Sequence, residues 1–150
     1  ALMAFWMKDE FPDVDIDKVI RMCLIHDLGE CFIGDIPTFA KTDADEAREE
    51  AELMAWVRSL PEPVSGEMEA LYREMIALET PEAKLYKAMD KLEAIVQHNE
   101  SDIATWEPHE YQLNMTYADD AVAWSPVLRE LREAIRNDTK AKIAAAEQQA

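Results

Sequence analysis

The sequence predicts an all-α fold, and three observations carry that prediction. Ala, Leu, Met and Glu are abundant, Gly occurs only 3 times in 150 residues, and apolar positions recur at helical rather than alternating spacing. At this length the chain is expected to form one domain over 1–150, burying roughly two-thirds of its unfolded surface without disulfides or metal staples.

Residues 1–7 read as the middle of a helix. They carry no N-cap and no polar lead-in, so further residues are expected to precede Ala1. Phe11-Pro12-Asp13 ends that helix, and Asp15 or Asp17 caps the next. From Asp17 to about Leu28 the apolar residues Val19, Ile20, Met22, Cys23, Leu24 and Ile25 cover nearly the whole circumference, which predicts an interior helix. Gly29 is where it loosens, and Gly34-Asp35-Ile36-Pro37 is a turn.

Thr42 or Asp43 starts a helix with acids in its first turn. It runs to about Ser59 and stops at Leu60-Pro61-Glu62-Pro63. Met68, Leu71, Tyr72, Met75 and Ile76 follow the spacing of a single apolar helix face. Thr80-Pro81 is a cap followed by proline at the first helical position, and Leu85, Ala88, Met89, Leu92 and Val96 form the next stripe. Asp90 lies off that stripe, beside Ala83, Tyr86, Ala94 and Gln97, while Lys84, Lys87 and Lys91 mark a third, wetter face.

Residues 98–120 are the least regular, and no element is assigned there. His98 and His109 read as surface or loop-packing residues. Trp106 and Trp124 read as packing, with a dimer interface as the alternative. Ser125-Pro126 opens a last helix carrying Leu128, Leu131 and Ile135, which fades into a frayed tail from Ala144. Methionines spread through the stripes belong to the core.

The formal net charge is −17, from 32 acidic and 15 basic residues, which argues against a nucleic-acid polymer as partner. A small anionic substrate remains compatible, provided positive charge is concentrated locally, most cheaply by a metal ion. No apolar run approaches the ~20 residues needed to span a bilayer, and no signal peptide is visible, so a cytoplasmic protein without a membrane partner is expected. Cys23 and Cys31 form no CxxC pattern and imply no disulfide, and Cys23 reads as a buried small hydrophobe.

The chemistry concentrates in Cys23-Leu24-Ile25-His26-Asp27-Leu28-Gly29-Glu30. Burying an ionised carboxylate costs several kcal/mol unless it is paired or bound to a cation. Arg21 is the only basic residue between Val19 and Glu30. Imidazole nitrogen with carboxylate oxygen is a common divalent-metal shell, although an isolated His-Asp pair serves equally as a structural hydrogen-bonded pair. If the helix persists, Glu30 projects from the same face as His26, where it can orient or deprotonate a water. Asp35 returns from a loop shaped by Gly34 and Pro37.

His26-Asp27-Leu28-Gly29-Glu30, followed by Gly34-Asp35-Ile36-Pro37-Thr38 and later by Lys87-Ala88-Met89-Asp90-Lys91-Leu92-Glu93, resembles the HD-domain metal-dependent phosphohydrolases, and within them the 5′-deoxynucleotidase branch. The resemblance runs to about residue 100 and more weakly beyond. It implies an HD-domain helical bundle around one divalent metal ion (Mn, Co, Fe, Ni or Zn), ligated by His26, Asp27 and Asp90. Glu30 would position the attacking water, Asp35 would assist the water or leaving group, and Asp35, Ile36, Pro37 and Thr38 would line the nucleotide pocket. Asp27 and Asp90 would face the substrate through the same centre. The implied reaction releases phosphate from deoxyribonucleoside 5′-monophosphates, in a homodimer. Within the superfamily the alternatives are another phosphoester, such as a nucleoside triphosphate or signalling nucleotide, or a catalytically silent binding module. The family's first metal-ligand His, and the Arg and Trp that hold phosphate and sugar, stand ahead of a helix like residues 1–7, so they are expected upstream of Ala1.

Overall fold

Side chains at the helix starts mark where four of the helices begin. A computed structural model of the chain describes residues 1–34, 36 and 42–148, and every regular element among them is helical. In order these are α1 (Leu2–Trp6), α2 (Ile16–Ile25), α3 (Glu30–Ile33), α4 (Asp43–Ser59), α5 (Val64–Ala77), α6 (Pro81–Glu100), α7 (Glu110–Thr116), α8 (Asp119–Val122) and α9 (Pro126–Glu147). Asp15 caps α2 by accepting the Lys18 N–H. Thr42 and Asp45 form a reciprocal capping box at α4, and Thr80 and Ser125 cap α6 and α9 ahead of Pro81 and Pro126.

The long helix α6 is the axis. It packs against α1, α2, α5, α8 and α9. Leu85, Ala88, Met89, Leu92 and Ile95 are buried on it, against Val19 and Met22 of α2 and Leu128 of α9. Val57 of α4 is equally enclosed. Met22, Met54, Met75 and Met89 are core residues as expected, and Met3 and Met7 are half-buried.

Three expectations are corrected. The second helix is not interior all round: Val19 and Met22 are buried, but Leu24 is 68 % exposed. Leu24 stands two residues beyond Met22, about 200° around the helix, and the neighbours of α2 cover only the other side. The last helix does not fray at Ala144 but continues to Glu147. The segment 98–120 does contain elements, namely α7, α8 and a 3₁₀ turn at Ile103–Thr105.

Their anchor is Arg132 of α9, which is 1 % exposed. Its Nε donates to Tyr117 O and its Nη2 to Asn114 O, while Arg136 Nε donates to Met115 O. These guanidinium groups satisfy the C-terminal carbonyls of α7 from a distant part of the sequence. His98 packs in this corner, 5.7 Å from the Trp106 ring and 3.1 Å from Asn114 Nδ2. Trp106 is buried, whereas Trp124 remains 38 % exposed. Both cysteines are free, Cys23 half-buried and Cys31 exposed. No described helix is long and apolar enough to cross a membrane.

Candidate functional site

Where α2 ends, the chain tightens into a 3₁₀ turn over His26–Gly29 before α3 starts at Glu30. The Tyr72 hydroxyl of α5 donates to Ile25 O at 2.5 Å, satisfying a carbonyl at that junction. Gly29 is buried on the turn, and a Cβ there would sit 2.7 Å from Glu49 Cγ. The backbone angles of Gly29 are ordinary, so what a side chain there would meet is the Glu49 side chain of α4, which would have to move. At Gly34 the requirement is conformational, because its φ of 87° ends α3 in a region that side chains disfavour.

His26 Nδ1 lies 2.9 Å from Cys23 O. A carbonyl only accepts, so Nδ1 carries a proton and Nε2 is the nitrogen turned toward the carboxylates. Nε2 lies 3.0 Å from Asp27 Oδ2 and 3.2 Å from Asp90 Oδ1, which reaches it from the middle of α6. The other Asp90 oxygen accepts from Lys87 Nζ at 2.8 Å. The Tyr86 ring stands edge-on, 5.9 Å from the imidazole.

Burial works against charge on His26, yet the Asp90 hydrogen bond and the charges of Asp27 and Asp90 override it and raise its pKa. Burial likewise opposes ionisation of Asp90, but His26 and Lys87 hold its carboxyl down to about 2. Lys87 is pushed up, the neighbouring Tyr86 and Asp90 outweighing its own burial. Burial pushes the Tyr72 hydroxyl up to about 12, so it stays a donor.

Two cavities meet at His26. One, of ≈ 440 Å³, is lined by Cys23, Asp27, Asp90, Glu93 and Met3. The other, of ≈ 280 Å³, is lined by Glu46, Glu49, Tyr72, Tyr86 and Lys87.

The structure thus brings together His26, Asp27 and Asp90. Glu30 is half-buried at the start of α3. The α-helical face expected to carry both His26 and Glu30 does not persist. Four residues at three per turn advance about 120° beyond a full circle, against about 40° in an α-helix. Ile36 is half-buried outside any helix, and Asp35, Pro37 and Thr38 lie outside the described residues. Sequence reasoning missed Lys87, Tyr72 and the Cys23 carbonyl as parts of the site. For Lys87 the signal was its place three residues before Asp90, a spacing that brings helical side chains together. Lys87 shares a face with Lys84 but is half-buried on it.

The donors fit a divalent cation in chemistry. His26 Nε2 with the carboxylate oxygens of Asp27 and Asp90 would supply one nitrogen and two oxygen donors. The hydrogen bond from the other ring nitrogen to a backbone carbonyl is the usual support of a ligating histidine. As they stand, the carboxylates close on an imidazole proton. Among the described residues no group of three His, Cys, Asp or Glu side chains is arranged to hold a metal ion.

A protein-family profile described as HD domain matches residues 1–132. The curated protein 5′-deoxynucleotidase HDDC2 of Bos taurus is 34 % identical over 102 residues, covering 67 % of this chain and 49 % of that protein. The human protein of the same name is 32 % identical over 114 residues, 75 % of this chain and 55 % of that protein. The 5′-deoxynucleotidase hdd1 of Schizosaccharomyces pombe is 29 % identical over 92 residues, 57 % of this chain and 46 % of that protein. The chain spans about half the length of the curated relatives it matches. No solved structure matches it significantly.

Proposed function

The chain belongs to the HD-domain family, and on that premise we propose that it is a metal-dependent phosphohydrolase converting deoxyribonucleoside 5′-monophosphates to deoxynucleoside and phosphate. The supporting observation is the contact of one imidazole nitrogen with carboxylates from two elements, Asp27 and Asp90. Imidazole nitrogen and carboxylate oxygen are the donors that divalent cations take. Similarity to proteins named 5′-deoxynucleotidase supports the substrate class.

In this reading His26, Asp27 and Asp90 hold one divalent ion, with Mn, Co, Fe, Ni and Zn all compatible with the donors. When bound, the ion supplies the concentrated positive charge that a phosphate ester requires in a chain of net charge −17. The Cys23 carbonyl fixes the ring orientation of His26, and Lys87 keeps Asp90 ionised and aimed. Glu30 takes a proton from the attacking water as the new oxygen–phosphorus bond forms. The bond to the 5′ oxygen breaks, that oxygen gains a proton with Asp35 assisting, and Ile36, Pro37 and Thr38 hold the nucleoside.

The same reading makes the protein a cytoplasmic homodimer without nucleic-acid or membrane partners. A monomer mass in sedimentation would remove the dimer without touching the chemistry.

Phosphate release measured over deoxyribonucleoside and ribonucleoside 5′-monophosphates and nucleoside triphosphates, with each metal in turn, tests the substrate. Release from deoxyribonucleoside monophosphates is expected. Release from triphosphates alone would reassign the reaction to another phosphoester, and none with any metal, in protein that carries the family's first His, would leave a binding module.

A further inference from the structure

Lys84, Lys87 and Lys91 follow one another at three and four residues along α6, which puts them on one face. They are three of only 15 basic residues in a chain with 32 acidic ones. Together with Leu78, Asp120 and Trp124 they line a groove of ≈ 560 Å³, within the usual size of a small-molecule pocket. Its charge is partly committed. Lys87 pairs with Asp90 at 2.8 Å and Lys91 with Asp120 at 3.0 Å. Lys84 is exposed and has no ion pair among the described residues. With Lys87 and Lys91 paired, Lys84 leaves the groove one uncompensated positive charge among the described residues.

The groove also has an aromatic wall. The Trp124 ring leans on Phe11 with centroids 6.0 Å apart and keeps 38 % of its surface open. Indole beside free ammonium suits a ligand that joins a flat ring to an anion, since stacking and charge are then satisfied by one molecule. Inorganic phosphate would use only the lysines, and an uncharged ring only the tryptophan.

We propose that this groove is a second ligand site, which binds a nucleoside phosphate with its base on Trp124 and its phosphate on Lys84, apart from the His26 centre. Lys87 and Leu78 form the wall between the groove and the ≈ 280 Å³ cavity beside His26. The two sites are neighbours, and neither shares the other's anchoring groups. The second site does not depend on what reaction His26 supports.

ATP binding in EDTA, followed by equilibrium dialysis and by tryptophan fluorescence, tests this with hydrolysis silenced. The parent chain should bind ATP with a change in emission. Lys84→Glu and Trp124→Ala should each weaken binding about tenfold or more. Trp124→Phe keeps a ring, so it should retain binding while losing the emission change. His26→Ala should bind as the parent does. Thermal melting identifies any variant that fails to fold, and Lys84→Glu decides if Trp124→Ala does. No binding by the parent, or full binding by folded Lys84→Glu, would overturn the second site. So would loss of binding in folded His26→Ala, by assigning the nucleotide to the His26 centre. Absence of hydrolysis in a metal-loaded assay would instead count against the proposed reaction and leave the groove untouched.

Discussion

The imidazole of His26, on the 3₁₀ turn that follows α2, meets the carboxylate of Asp90, in the middle of α6, at 3.2 Å. Two elements distant in sequence thus place a nitrogen and an oxygen donor together where the core opens to a cavity. The surroundings hold this geometry: Cys23 O fixes one side of the ring, and Lys87 fixes the other oxygen of Asp90.

Acid should expose the worth of that arrangement in metal-free protein. The Asp90 carboxyl is held at about 2 against an ordinary 3.8, burial being outweighed by His26 and Lys87. A carboxyl depressed in the folded state stabilises the fold above its unfolded pKa, and this contribution fades as pH falls through the folded pKa. Asp90→Asn should therefore lose stability less steeply than the parent between about pH 4 and about pH 2. The difference should be up to about 2 kcal/mol, read from urea midpoints at each pH. Parallel curves would show that Asp90 is not held as described.

Tyr72→Phe removes the hydroxyl that donates to Ile25 O. A loss of about 1 kcal/mol in urea unfolding is expected. Phosphate release should fall as well, because the turn that presents His26 loses a fixed point. Unchanged stability would argue that water replaces the hydroxyl.

Gly29→Ala drives a methyl group into the side chain of Glu49. The expected cost is about 1–3 kcal/mol of stability. Adding Glu49→Ala should recover most of it, a coupling that thermal melting of the single and double variants would measure. Additive losses would place the strain elsewhere.

Glu30→Gln should retain metal by elemental analysis but release phosphate about 10²–10⁴-fold more slowly, as expected when a group that takes the water's proton is neutralised. Parent-like release would remove Glu30 from the reaction.

Much of this was legible because it is local. Asp15, Thr42, Thr80 and Ser125 announce helix starts through their own side chains, and all four cap as their positions suggest. Asp90 was legible as an outlier, a carboxylate off the apolar stripe of its helix. What escaped depends on partners far along the chain. The exposure of Leu24 follows from which side of α2 its neighbours cover, and nothing in its own spacing reveals that. The helices between residues 98 and 120 are held by Arg132 and Arg136, whose donors reach their carbonyls only after folding. The expected loosening at Gly29 is instead a tightening that starts at His26, where the Tyr72 hydroxyl of α5 donates to the Ile25 carbonyl.

The most direct measurement is phosphate release from a deoxyribonucleoside 5′-monophosphate, before and after chelation and again after metal is restored, in the parent chain and in Asp90→Ala. Metal held by His26, Asp27 and Asp90 predicts that chelation abolishes release and that restored metal recovers it in the parent alone. Release that survives chelation, or that returns equally in Asp90→Ala, would contradict a metal-dependent phosphohydrolase centred on His26.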